Sequence, residues 1–149
     1  MANNKKTTFK EIWDTLRGVD TSKIEQPLPQ NSNLTYISWA DAWVCIMDYY
    51  PELTYESIPP AFYGVQGETT CEVHCKIIIG EFSREMSLPV MTTMMPMKSI
   101  TNPTSRDIND AKQRCLVKTL AMFGFGIHLW EKKKGPSVKI TKHEDGVGF

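Results

Sequence analysis

Two basic side chains one helical turn apart carry the clearest chemical signal in this chain. Arg114 and Lys118 lie in the segment Asn109–Trp130, NDAKQRCLVKTLAMFGFGIHLW. Leu116, Leu120 and Phe123 form an apolar stripe at helical spacing, with Cys115, Thr119 and Met122 beside it, and Arg114, Lys118 and Ala121 occupy a further face. Cations at i and i+4 can neutralise neighbouring phosphates, or they can be an ordinary solvated helix face, and the spacing alone leaves both readings open. The remaining chemistry-bearing residues point less clearly. Cys71, His74 and Cys75 suggest a metal site, but in an extended segment the two cysteines are ~13 Å apart and His74 faces the other way. The four cysteines therefore read as buried free thiols.

Several catalytic signatures are absent. There is no G-x-x-x-x-G-K-[ST] phosphate loop, since Gly64-x-x-Gly67 is too short and lacks the lysine. H-E-x-x-H, G-x-S-x-G and the H-x-E with P-C-x-x-C pair are also missing, as is any acidic cluster for two-metal nuclease work. We therefore expect no catalytic residue, no metal and no cofactor.

The elements that must position the basic pair can be read from periodicity and turn chemistry. Thr8 and Glu11 form a capping signal before Phe9, Ile12, Trp13 and Leu16, and Gly18 supplies a stop. Residues 19–34 read as a linker, which lets the first helix pack at a distance, on this or a neighbouring subunit. Ser38 and Asp41 open a second helix over about 38–50, with Trp39, Trp43, Ile46, Met47 and Tyr50 on one face and Pro51 ending it. The two tryptophans read as core. Leu53–Tyr63 is β-prone but broken by Pro59-Pro60, which suggests an edge strand or a bent one.

Gly80-Glu81 marks a two-residue type II′ turn, and that turn sets the hairpin register. With Ile79 opposite Phe82, one face collects Cys71, Val73, Cys75, Ile77 and Ile79 with Met86, Leu88 and Val90, while Lys76 falls opposite Glu85 on the other. Arg84 is the exception on the apolar face: it snorkels past the sheet end or contacts a phosphate in a groove. Residues 91–108 read as a long loop carrying Lys98, either a lid or a disordered connector. The last helix is expected from about Ile108 to Phe123.

Charge and composition bound the class. The 149 residues carry 17 basic and 17 acidic side chains, 41% are hydrophobic, and no apolar run reaches the ~18 residues of a membrane span. Residues 101–149 hold nine basic and five acidic side chains, so positive charge concentrates around the last helix, and Lys132–Lys134 add nonspecific phosphate attraction. With no readable signal peptide, a cytoplasmic protein is expected.

The combination of Tyr36-Ile-Ser-Trp-Ala-Asp-Ala-Trp43, Tyr50-Pro51, Ser87-Leu-Pro-Val-Met91 and Gln113-Arg-Cys-Leu-Val-Lys118-x-Leu-Ala-Met-Phe-Gly-Phe-Gly126 resembles the Sak-type phage single-strand annealing proteins. The resemblance spans about residues 34–131. More distantly, Cys115–Gly124 is similar to the corresponding helix of the eukaryotic annealing protein Rad-fifty-two. It implies an α+β fold with a β-β-β-α core: an antiparallel three-stranded sheet, hairpin 69–91 included, packed on a long C-terminal helix with N-terminal helices added. The implied division is 1–34 helix and linker, 35–131 annealing core, and 132–149 basic and polar tail.

The resemblance also implies an ATP-independent protein of phage recombination in the bacterial host cytoplasm. It would coat single-stranded DNA as a ring or helical homo-oligomer, working beside a phage exonuclease or single-strand-binding protein. Arg114 and Lys118 match basic positions of the family's helix. Val117 and Ala121 depart from the distant relative, which leaves Arg84, Lys98 and Lys112 as candidate replacements, with Lys76 on the hairpin as a further DNA-binding candidate. A non-annealing single-strand binder or protein-interaction adaptor of the same fold stays open beside this reading.

Overall fold

The computed structural model describes residues 6–28, 31–94 and 96–131, without the side chains of 31–33. Lys132–Lys134 and the expected tail lie outside the described residues. The elements run α1 (Phe9–Arg17), β1 (Glu25–Leu28), β2 (Asn31–Ile37), α2 (Trp39–Tyr49), β3 (Thr54–Val65), β4 (Glu68–Ile79), β5 (Phe82–Pro89) and α3 (Ser105–Ala121), then a 3-10 turn at Ile127–Leu129. The fold is α+β, with the antiparallel sheet β3-β4-β5 packed against α3 and with N-terminal helices present, as the sequence implied. No described helix is long and apolar enough to cross a membrane.

The β4–β5 hairpin has the expected register: Ile79 pairs with Phe82, Ile77 with Arg84, Cys75 with Met86 and Val73 with Leu88. Gly80 takes φ +60° at the first central turn position, where an L side chain is disfavoured. Because side chains alternate, this pairing buries Cys71, Val73, Cys75, Ile77, Ile79 and Leu88 against α3. β3 is an edge strand, and its pairing slips between Ile58 and Ala61, where Pro59-Pro60 cannot donate to the ladder.

Five expectations change. Residues 19–34 are not a featureless linker, because β1 and β2 form a two-stranded ribbon whose register shifts after Pro27. α1 does not pack at a distance: Ile12 and Leu16 are buried in the common core. Gly124 makes this close approach possible, since a Cβ there would stand 2.8 Å from the Trp13 carbonyl oxygen. Trp39 is 44% exposed rather than core, because the apolar face of α2 is wider than the surface beneath it, while Trp43 does pack on the core.

The segment 91–104 is neither a loose lid nor a disordered connector. It folds back on the sheet, with Met91 bridging Ser99 and the Ile100 amide donating to the Val90 carbonyl at 2.9 Å. Asn102, at φ 53°, ties the segment to the β3–β4 turn through the Gly67 carbonyl and the Thr69 amide and hydroxyl. α3 starts three residues before the expected Ile108. Thr104 and Asp107 form a reciprocal capping box, in which the Asp107 amide donates to Thr104 Oγ1 and the Thr104 amide to Asp107 Oδ2.

Candidate nucleic-acid interface

Packing of α3 decides where its cations go. Ala111, Cys115, Leu116 and Leu120 are buried on the side that meets β4 and β5, so Arg114 and Lys118 are carried to the β5 edge of the sheet. Lys118 Nζ donates to the Ser87 carbonyl at 2.9 Å, and an Arg114 guanidinium nitrogen donates to the Met91 carbonyl at 3.2 Å. Both side chains are half-buried, not openly solvated as a groove-facing pair would suggest. Burial pushes the Arg114 guanidinium below its usual value, and nearby Asp110 opposes the shift. An arginine nonetheless keeps its charge in a protein.

Arg84 completes a row. Its guanidinium lies 4.1 Å from the centre of the Phe9 ring and donates to the Ser83 carbonyl at 2.8 Å. Cation–π attraction and one hydrogen bond explain how a charge is tolerated on the apolar face. The three cations are thus held by carbonyls at 83, 87 and 91, each four residues from the next along an extended chain, or ~13 Å apart. Each donates one described hydrogen bond to a carbonyl and has donors to spare, since lysine carries three and arginine five. The anchoring limits rotamer freedom before any ligand arrives, which lowers the entropic cost of binding.

At the Arg114 end the row opens into a cleft of about 460 Å³ lined by Tyr36, Trp39, Thr92, Thr93, Asp107 and Asp110. Two carboxylates there soften the positive field, and neither was foreseen as part of a site. Lys98 is exposed beside this end, its backbone paired to Thr92 in both directions. The other two candidates lie elsewhere. Lys112 lines a separate cleft of about 370 Å³ with Trp39, Trp43, Tyr55 and Leu116. Lys76 is on the open face of the sheet, 3.8 Å from Glu56 and opposite Glu85.

Three of the four cysteines sit in the interior as expected, whereas Cys45 is only half-buried. Cys71, Cys75 and Cys115 are buried, while His74 is on the other face of the sheet, 3.2 Å from Glu72 and 3.9 Å from Glu85. Burial, reinforced by the neighbouring Cys75, raises the Cys115 thiol to about 12. Among the described residues no group of three or more His, Cys, Asp or Glu is placed to hold a metal ion.

The sequence model of the family described as Sak Single Strand Annealing Protein matches residues 10–143, most of the chain. No curated protein and no solved structure matches.

Proposed function

The chain belongs to the Sak single-strand annealing protein family, and on that premise we propose that it binds single-stranded DNA along the β5 edge and pairs it with a complementary strand without nucleotide hydrolysis. The observation that carries this reading is the row Arg84, Lys118, Arg114, three carbonyl-anchored cations along one strand edge. Lys98 extends the row, whereas Lys76 and Lys112 take no part in it.

Annealing makes and breaks no covalent bond. What it requires is partial neutralisation of two phosphate backbones while base edges stay free to pair. Carbonyl anchors spaced ~13 Å along the strand suit that task, because B-form rise puts roughly four phosphates of one strand into the same length. The grip is sequence-independent and leaves most phosphates uncovered, so a second strand can approach without the first being locked in place. A single subunit binds weakly on these terms. Repetition in a ring or helical homo-oligomer supplies the rest by effective concentration.

The test is annealing of two complementary oligonucleotides without ATP, monitored by fluorescence quenching, beside a gel shift with one strand. Faster pairing than in buffer supports the proposal. Binding without accelerated pairing would reduce the protein to a single-strand-binding module, and no binding at low salt would refute the site.

A further inference from the structure

A large aromatic ring stands in the open beside the cationic row. Trp39 is the first residue of α2 and is 44% exposed. It lines the cleft that Arg114 and Met91 also line, so this cleft begins where the last cation of the row meets its carbonyl anchor. Tyr36 supplies a second ring to the same cleft, and its hydroxyl donates to Gln26 Oε1 at 3.3 Å, which ties it to β1. The start of α2 is fixed as well. The Asp41 amide donates to Ser38 Oγ at 3.2 Å, and the Ser38 hydroxyl donates to Asp41 Oδ2 at 2.8 Å. The backbone that carries both rings is therefore in place before a ligand arrives.

Charge and size narrow the occupant. Beyond Arg114 the cleft carries Asp107 and Asp110, and two carboxylates repel a phosphate. Asp107 is committed to the cap of α3, whereas Asp110 is exposed. A flat, uncharged group suits two aromatic rings in such surroundings. On a strand whose phosphates follow the row as far as Arg114, that group is a base. The volume of about 460 Å³ falls within the ~300–1,000 Å³ of small-molecule sites, which leaves room for one base. Trp39 also lines the cleft that holds Lys112, but Arg114 does not, so continuity with the row selects the Arg114 side.

We propose that Trp39 stacks one base of the bound strand in this cleft, next to the phosphate held by Arg114. This inference rests on the DNA reading above and adds a base contact to a site built so far from phosphate contacts alone. Stacking uses the face of a base, which every base has, so it adds affinity without choosing a sequence. The pairing edge of that base is not spent on the protein.

The experiment compares a short oligothymidylate with a strand of the same length made of abasic sites, by fluorescence anisotropy at low salt. The proteins are wild type, Trp39→Ala and Trp39→Phe, with circular dichroism as a folding control. Wild type is expected to bind the base-bearing strand at least about fivefold more tightly than the abasic one. Trp39→Ala should lose about that factor on the base-bearing strand and nothing on the abasic strand, and Trp39→Phe, which keeps a ring, should recover most of it. Tryptophan emission gives a second readout: oligothymidylate should quench wild type, and the quenching should shrink in Trp39→Phe. A wild type that binds both strands alike, a Trp39→Ala variant that weakens both equally, or quenching undiminished in Trp39→Phe would overturn the stack. Failure of the DNA reading shows differently, as a wild type that binds neither strand, and it removes the row and the stack together.

Discussion

The cationic row makes a quantitative prediction through the double variant Arg114→Gln, Lys118→Met. Both replacements remove charge; methionine matches lysine in length, and glutamine keeps a neutral polar end on a shorter side chain. In the wild type the two side chains donate to the Met91 and Ser87 carbonyls, so their loss has a structural cost. At about 1.5–3 kcal/mol per hydrogen bond from a charged donor, the pair contributes at most about 6 kcal/mol. Both carbonyls lie on the sheet's edge strand or its continuation, where water can replace the donor, so the cost falls in the lower part of that range and the variant folds. For binding, each phosphate contact to a single strand contributes about 0.7 to the slope of log K against log salt. Removing two should flatten the slope by about 1.4 for each subunit on the strand and weaken binding to all sequences alike. The assay is fluorescence anisotropy of a labelled oligonucleotide from 50 to 300 mM salt. Lys76→Met and Lys112→Met serve as controls, since neither side chain joins the row, and both should leave the slope unchanged. A double variant with wild-type slope and affinity, or a Lys76→Met variant with the larger effect, would refute the placement of the strand on the β5 edge.

Further perturbations probe the scaffold that holds the row. Leu120→Ala, at a fully buried position facing the sheet, should cost about 2–5 kcal/mol in urea unfolding. Gly124→Ala adds a Cβ 2.8 Å from the Trp13 carbonyl oxygen at φ +107°. It should cost about 1–3 kcal/mol and raise proteolytic cleavage within α1, where a conformationally neutral site would show neither change. The Cys115 thiol is raised to about 12 in the folded chain, from an ordinary value of 9.0. Above pH 9 the unfolded state therefore loses its proton first, so this contribution to stability is whole below pH 9 and falls as pH climbs towards 12, by up to about 1.4 kcal/mol per pH unit. Thermal melts at pH 8, 9.5 and 10.5 should show the decline, and Cys115→Ala should shrink it; a decline of unchanged size would assign it to other groups.

Much of this molecule was legible in one dimension because local rules have sharp signatures. Ser38 with Asp41 opened α2 at the expected place, and a glycine at the first turn position set a hairpin register that sorted the apolar face of β4 correctly. The earlier start of α3 was also written in the chain, as Thr104 and Asp107 three apart, but a flanking proline and a polar run masked it. The β1–β2 ribbon is hidden for the opposite reason: prolines and polar residues read as a break, and only the pairing of Glu25, Gln26 and Pro27 with Ile37, Tyr36 and Thr35 makes the segment a strand.

By itself the sequence determined the β-β-β-α order, the hairpin register, the family to which the chain belongs and the identity of the basic residues near its last helix. Tertiary structure alone decided which of those cations share a surface. Residues 84, 118 and 114 converge because α3 lies across β4 and β5, a long-range packing outcome that no local spacing encodes. It also decided that backbone carbonyls hold them, since every residue carries a carbonyl and only the fold selects the one a lysine reaches. Exposure of Trp39 followed the same logic: periodicity gives the direction of a side chain on its helix, and burial depends on what the rest of the chain brings to that face.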